Sequence, residues 1–186
     1  RFDLSRHPNE PHRFGWVVEI DPFDPASTPV KRTALGRKRQ ESATCTLARD
    51  GRLVVYMGDD SRFEYIYKFV SRDKVQPGGA AANRELLDHG TLYVGRFDVD
   101  GTGEWLPLVQ GRNGLVADKG FASQGDVLIK ARQASDLLGA TKMDRPEWTT
   151  VDPLTKEVYC TLTNNSNRGA AGAGLSSGGG QTSPPC

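Results

Sequence analysis

Most apolar residues of this chain fall in short runs, and the length of those runs is what most constrains its fold. The runs are roughly four to eight residues long, alternate with polar residues or are rich in β-branched side chains, and end at Gly, Pro or Asp. This pattern is typical of β-strands, because helices need longer stretches with a helical period. The 21 Gly and 11 Pro among 186 residues indicate frequent turns. The sequence therefore predicts one all-β domain of short strands.

Turn signals join the predicted strands into hairpins. Asp-Gly dipeptides at positions 50–51 and 100–101 each separate two apolar runs, which is a strong hairpin signal. The predicted strands are residues 14–20, 30–35, 41–47, 52–57, 65–70, 91–98 and 104–108. Two stretches are less β-like, residues 80–87 and 126–138, and each predicts a short surface helix.

A strand–turn–strand unit occurs twice in the chain. In the first copy Glu41 opens a strand, and the return strand ends in Asp59 and Asp60. In the second, Glu147 opens a strand, and the return strand ends at Asn164 after a nearly equal separation. Such repeats favour a partial β-propeller of about two to three blades, in which inner strands line one channel and their opening carboxylates converge. Two imperfect copies in an ordinary meander are the alternative.

The hexapeptide Met143–Trp148 places an arginine and a glutamate on either side of a proline. Pro146 has no N–H and a fixed φ, so it suits the entry of a strand. If Glu147 starts that strand, Arg145 and Glu147 share a face, because side chains two residues apart point the same way. A cation suited to phosphate would then stand beside an anion suited to a metal ion. A surface ion pair at a strand end would give the same pattern.

Charge and composition exclude some classes of function. The net charge is +1, which offers no bulk field for nucleic acid or a membrane surface, and no apolar run has the length of a membrane span. The three cysteines show no metal-binding spacing and leave the redox compartment undecided. The chain starts at Arg1 without a signal peptide, as expected for a piece of a longer protein. The Gly-, Ala- and Ser-rich residues 169–186 are expected to be a disordered tail.

Several segments together resemble one known family. They include Phe14-Gly15-Trp16-Val17-Val18-Glu19-Ile20-Asp21-Pro22, Thr33-Ala34-Leu35-Gly36-Arg37, Val55-Tyr56-Met57-Gly58-Asp59-Asp60, Tyr65-Ile66-Tyr67-Lys68-Phe69-Val70-Ser71, and Gly139-Ala140-Thr141-Lys142 followed by the hexapeptide. Across residues 1–168 the chain is similar to the PhoX-type alkaline phosphatases. The resemblance implies a β-propeller enzyme of the bacterial periplasm, exported by the twin-arginine route. It also implies hydrolysis of phosphate monoesters at a cluster of iron and calcium ions.

The resemblance implies roles for individual residues. Glu41 and Glu147 would bind metal, and Arg145 would bind the substrate phosphate. Asp59 and Asp60 are weaker metal-ligand candidates, because Gly-Asp-Asp also forms ordinary solvated turns. Asn164 is a weaker candidate of the same kind, since it occupies the equivalent repeat position. No protein partner is indicated.

The chain departs from the family pattern in two ways. Gln40 stands where the family usually has His, after the unusually basic stretch Arg37-Lys38-Arg39. The family also draws metal ligands, including a cysteine, from segments before and after this region, and neither Cys45 nor Cys160 has the context to replace that cysteine. A fragment of a phosphatase is therefore expected, with only part of its site. Two alternatives stay open: a catalytically inactive propeller fragment, and another calcium-dependent propeller hydrolase such as a lactonase.

Overall fold

The computed structural model describes residues 3–169. These residues form eleven strands and three α-helices. The strands are β1 (Val18–Glu19), β2 (Val30–Lys31), β3 (Gln40–Leu47), β4 (Arg52–Asp59), β5 (Arg62–Glu64), β6 (Ile66–Lys74), β7 (Gly90–Phe97), β8 (Gly103–Pro107), β9 (Met143–Asp144), β10 (Thr149–Val151) and β11 (Val158–Cys160). The helices are α1 (Gly79–Asn83), α2 (Gln124–Ile129) and α3 (Ala131–Leu138). Beyond Gly169, the predicted disordered tail lies outside the described residues.

A five-stranded antiparallel sheet organises the fold, with the strand order β3-β4-β6-β7-β8. Three two-stranded sheets accompany it, formed by β1 with β2, β5 with β9, and β10 with β11. Both Asp-Gly signals lie in tight turns of the large sheet, where Gly51 and Gly101 have φ of 87° and 84°. Glycine suits these turns because it adopts positive φ without a steric penalty.

The hydrophobic core lies on one face of the large sheet, beneath the helices. Alternate residues of β4 and β6 supply it, including Val55, Met57, Tyr67 and Phe69, all essentially inaccessible to solvent. Ala131 and the helix residues around it pack against the same cluster. The period-2 alternation of these strands thus buries one set of side chains under α2 and α3.

The β10–β11 hairpin lies against β3 and β4 through polar contacts. The Thr44 hydroxyl donates to the carbonyl oxygen of Thr149 at 2.6 Å, and the Thr149 hydroxyl donates to the carbonyl oxygen of Tyr56 at 3.1 Å. At Gly58 the two backbones approach more closely: a Cβ there would meet the carbonyl oxygen of Pro146 and lie 2.5 Å from that of Glu147. Glycine is required here because another backbone occupies the space a side chain would need.

The predicted helix at 126–138 is two helices. Ser123 and Asp126 form a capping box that starts α2, and α2 ends at Lys130, where φ is −105° and ψ is 36°. α3 then begins at Ala131 and ends with Gly139 in the left-handed conformation. Within residues 3–169 no helix has the length and apolar character needed to cross a bilayer.

The prediction of a mostly β chain with short helices is confirmed, and several bounds differ. The predicted strand at 14–20 is reduced to Val18–Glu19, and the predicted strand at 30–35 becomes Val30–Lys31 followed by a 3-10 turn at Thr33–Leu35. Both residues of β1 and both residues of β2 are exposed, so few long-range contacts extend these strands. The described residues show several separate antiparallel sheets and no closed ring.

Replacing Gly58 by Ala should destabilise the protein, because the added methyl group would collide with backbone that cannot rotate away. We expect a loss of about 2 kcal/mol or more in the free energy of unfolding. Gly125→Ala is the matched control, since the nearest atom to a Cβ there is the Ser123 hydroxyl oxygen at 3.5 Å and Ala is the better helix former. Urea denaturation of both variants measures the difference. Equal free energies of unfolding for the two variants would show that the hexapeptide backbone does not pack closely against Gly58.

Candidate functional site

The residues expected to carry chemistry meet where β3 begins, β4 ends and the hexapeptide crosses them. Glu41 pairs with Gly58 across the β3–β4 ladder. Gly58 is in turn covered by the backbone of Pro146 and Glu147. Glu41 and Glu147, far apart in sequence, are therefore neighbours of the same glycine. The backbones of the two glutamates thus meet at Gly58, and the convergence of their carboxylates stays a prediction.

A β-bulge shapes the backbone beside Glu41. The ladder register shifts between Glu41 and Thr44, and Ser42 within it has a φ of 61°. A left-handed serine is strained by about 1–3 kcal/mol, so contacts must hold it. The Ser42 hydroxyl donates to the carbonyl oxygen of Glu147 at 3.2 Å and accepts from the Thr149 N–H at 3.1 Å. The bulge thus fixes Glu41 relative to Glu147.

Arg145 is the cation of the site and is also strained. Its φ is 52°, a left-handed conformation at a position where the following proline already restricts the backbone. Its Nε lies 2.9 Å from Oδ1 of Asp60, its Nη2 donates to Oδ2 of Asp60 at 3.1 Å, and the same Nη2 donates to Glu147 at 3.4 Å. All three side chains are about one-quarter to one-third exposed, with values of 32%, 23% and 29%. The guanidinium is therefore held in place and still open to solvent.

The hexapeptide reaches this geometry by a different route from the one predicted. Glu147 does not open a strand: β9 ends at Asp144, and β10 begins at Thr149. The prediction that Glu147 starts a strand is wrong. Arg145 and Glu147 still meet, because Arg145 turns into the left-handed region and the Glu147 N–H is held by the carbonyl oxygen of Thr161 at 2.9 Å.

Asp59 and Asp60 face different partners. Asp60 contacts Arg145, as above. Asp59 is fully buried and receives both Nε (2.7 Å) and Nη2 (2.5 Å) of Arg132 on α3, together with the Arg39 N–H at 3.2 Å. Each Asp59 oxygen is already bonded to a cation, which favours a role in positioning over a role in metal binding.

Arg132 is a residue of this region that the sequence did not indicate. It also donates to Ser61 at 3.0 Å and lies 3.6 Å from Glu64. It is 73 positions from Asp59 in sequence, and no local motif links the two. Only the packing of α3 on the sheet reveals the pair.

Asn164 lies away from this cluster. It is exposed, whereas its neighbours Thr163, Asn165 and Arg168 bind Asp144. The Arg168 guanidinium is 2.5 Å from the Asp144 carboxylate. The return strand β11 ends at Cys160, so Asn164 does not hold the strand-end position that the repeat predicted.

Two titratable groups near Asp59 have displaced pKa values: Lys38, which is buried, and Glu64, which is partly buried. Burial, reinforced by the charge of Asp59, raises the pKa of the Glu64 carboxyl to about 7. Burial also lowers the pKa of the Lys38 ammonium to about 7, against the opposing attraction of Asp59. The Lys38 Nζ donates to the carbonyl oxygen of Leu35 at 2.7 Å and lies 4.5 Å from the centre of the Tyr67 ring. The pKa values of both groups are therefore displaced toward neutral pH.

The carboxylates of the site are the right type of ligand for a hard cation, but too few of them lie together to complete a metal site. Carboxylate oxygens are the ligands that calcium and ferric iron prefer. Among residues 3–169, however, no group of three His, Cys, Asp or Glu side chains has an arrangement that could hold a metal ion. These residues can supply part of a metal site.

Glu64→Gln should change how stability depends on pH. Because the folded protein keeps the Glu64 proton between about pH 4.5 and 7 while the unfolded chain has lost it, rising pH removes stability across that window. The loss amounts to up to about 3 kcal/mol, and the glutamine variant should lack it. Urea denaturation at pH 5 and pH 7.5 measures this, with the exposed Glu157→Gln as control. A decline that persists in Glu64→Gln would contradict the raised pKa.

Comparison with known proteins gives a consistent result. The family model described as alkaline phosphatase PhoX matches residues 1–182. Among solved structures, Pseudomonas fluorescens PhoX in complex with vanadate, a transition state analogue, is 60% identical with a TM-score of 0.88. That match covers 92% of this chain and 31% of the solved chain, so this chain spans about a third of that relative's length. No curated protein matches. Since the family model covers nearly the whole sequence and the solved relative has the same fold, this chain belongs to the PhoX alkaline phosphatase family.

Proposed function

We propose that this chain contributes the phosphate-binding part of a metal-dependent phosphate monoester hydrolase. The observation that carries the proposal is Arg145, which is strained, partly buried, and held by Asp60 and Glu147 at the junction of β3, β4 and the hexapeptide. Strained residues occur at functional sites more often than elsewhere, because such conformations persist only where surrounding contacts hold them. The vanadate bound to the solved relative supports phosphoryl chemistry in that protein.

Arg145 would act by binding the phosphoryl oxygens. Its guanidinium is always charged and can present two parallel N–H groups to two oxygens, and its charge matches the negative charge of the transferring group. In the present arrangement Asp60 occupies that fork. A bound phosphate would therefore compete with Asp60 for Arg145, and Asp60 would become available as a ligand.

Glu41 and Glu147 would supply carboxylate oxygens to calcium or iron, as part of a ligand set that residues 3–169 do not complete. Bound metal ions would polarise the phosphoryl oxygens and activate water. Asp59 is assigned a positioning role instead, because Arg132 engages both of its oxygens. Asn164 is exposed and is the weakest candidate. The further ligands would come from parts of the PhoX chain that this sequence does not span. Export to the periplasm belongs to the same proposal, since it rests on the family.

Two other functions remain as alternatives. A calcium-dependent propeller hydrolase acting on a neutral lactone would use similar carboxylates. An arginine in contact with two of the candidate ligands favours an anionic substrate over a neutral one. The second alternative is a fragment with no activity of its own, which agrees with an incomplete set of metal ligands. Measuring vanadate binding separately from turnover distinguishes it from the leading proposal.

The direct test is to measure vanadate binding to the purified chain by isothermal titration calorimetry, with calcium and iron supplied. Wild-type protein should bind, Arg145→Ala should lose at least about tenfold in affinity, and Arg145→Lys should recover only part of it. Arg49→Ala, which removes an exposed cation in the β3–β4 turn, is the control. Calcium-dependent binding that is unaffected by Arg145→Ala would contradict the role of Arg145.

Hydrolysis of p-nitrophenyl phosphate at alkaline pH then measures whether this part of the family chain suffices for turnover. With two or three candidate carboxylates and no complete ligand cluster in residues 3–169, we expect binding with little or no turnover. Turnover that depends on both calcium and Arg145 would show that the described residues hold a complete site.

A further inference from the structure

A second concentration of positive charge lies on the α3 side of β4. It surrounds a cavity of about 350 Å³, which we call the basic cleft. Its lining residues are Phe14, Gly15, Arg37, Lys38, Arg39, Ile129, Arg132 and Gln133. Half of them are cations and none is acidic. Arg145, Glu41 and Glu147 are not among them, so the basic cleft is separate from the candidate phosphatase site.

Two of the three consecutive basic residues, Arg37 and Arg39, carry charge that no carboxylate neutralises, whereas burial lowers the pKa of the Lys38 ammonium to about 7. The Arg37 Nε donates to the carbonyl oxygens of Pro11 and Phe14 at 3.1 and 3.0 Å, which fixes the guanidinium and leaves its charge unbalanced. Lys38 likewise donates to backbone oxygens. The Arg39 side chain is exposed. Across residues 3–169, none of the three forms an ion pair with a carboxylate.

Arg132 contributes donor groups and little net charge, because Asp59 balances it. Gln133, the next residue on α3, adds an exposed amide. The surplus charge therefore comes from Arg37 and Arg39.

The backbone of this stretch is held rigidly. The Arg37 N–H donates to the carbonyl oxygen of Leu128 and the Lys38 N–H to that of Gly15, each at 2.9 Å. The Arg39 N–H donates to Asp59 at 3.2 Å, and its carbonyl oxygen accepts from the Asp60 N–H at 3.0 Å. Ordinary surface cations are flexible and solvated. Here the backbone that carries Arg37 and Arg39 is fixed beside a concavity, where an anion would relieve the repulsion between the two charges.

We propose that the basic cleft binds a phosphate-class oxyanion, at a site distinct from the Arg145 cluster. Arg39 supplies the accessible charge, Arg37 supplies a fixed charge, and Arg132 and Gln133 supply donors from α3. Free phosphate and a phosphate monoester present the same oxygens to such a site. The proposal does not depend on the proposed phosphatase function.

The proposal is tested by titrating the protein with inorganic phosphate in calcium-free buffer that contains a chelator, and measuring the heat of binding by calorimetry. Wild-type protein should bind inorganic phosphate saturably. Arg39→Ala, which removes a charge, and Gln133→Glu, which adds a carboxylate on an exposed helix position, should each weaken binding by about five- to tenfold. Arg49→Ala, which removes an exposed cation outside the cleft, should bind as the wild type does. Repeating the titration with p-nitrophenyl phosphate tells whether the cleft takes the free anion alone or also a monoester.

Circular dichroism and thermal melting establish that each variant is folded. Both cleft variants change exposed side chains, so their melting temperatures should match that of the wild type. Absence of saturable phosphate binding by the wild type overturns the proposal. Equal affinities of wild type, Arg39→Ala and Gln133→Glu also overturn it. Calcium-dependent vanadate binding that is lost in Arg145→Ala but kept in Arg39→Ala would belong to the proposed phosphatase site. The two proposals can therefore fail independently of each other.

Discussion

The ion pair between Asp59 and Arg132 is the interaction on which the rest of the site depends. Asp59 is fully buried at the end of β4, and a buried carboxylate is tolerated only when it is paired and hydrogen-bonded. Arg132 forks onto both oxygens and connects α3 to the strand. Removing one partner of such a pair costs about 3–5 kcal/mol, because the other charge stays buried. The pair thereby fixes the position of Asp60, the residue that holds Arg145.

The opposite face of β4 is governed by a close backbone contact. Gly58 admits the backbone of Pro146 and Glu147, which places the hexapeptide directly over the strand. Two left-handed residues, Ser42 and Arg145, complete this contact. At the end of β4, Asp59 therefore pairs with Arg132 of α3, and the next residue, Asp60, pairs with Arg145 of the hexapeptide. This arrangement brings β3, β4 and the hexapeptide, which are distant in sequence, together at one strand end.

The sequence predicted what depends on local pattern. Short alternating runs and Asp-Gly turns gave the strands of the large sheet to within a few residues, and the hexapeptide gave Arg145 and Glu147 as a pair. The predicted helix at 126–138 missed the Ser123 capping box, a local signal that starts α2 at Gln124, and the break at Lys130 has no local signal. The weak strand at 14–20 failed because exposed residues lacked the long-range contacts that extend a strand.

The sequence could not predict what depends on tertiary packing. Arg132 pairs with Asp59 only because α3 packs on the sheet, and no spacing in the sequence indicates that contact. The left-handed conformation of Arg145 also could not be predicted from the sequence, because a residue before proline ordinarily favours extended backbone. The basic stretch at 37–39 was visible as composition, but the cavity it lines was not. Residue types were therefore predictable, and their partners were not.

A crystal structure of the chain with calcium and vanadate tests the central claim most directly. The account predicts vanadate oxygens within hydrogen-bonding distance of the Arg145 guanidinium, with calcium on Glu41 or Glu147 and the Arg145–Asp60 pair rearranged. Vanadate bound away from Arg145, with that pair unchanged and no calcium on either glutamate, would contradict it.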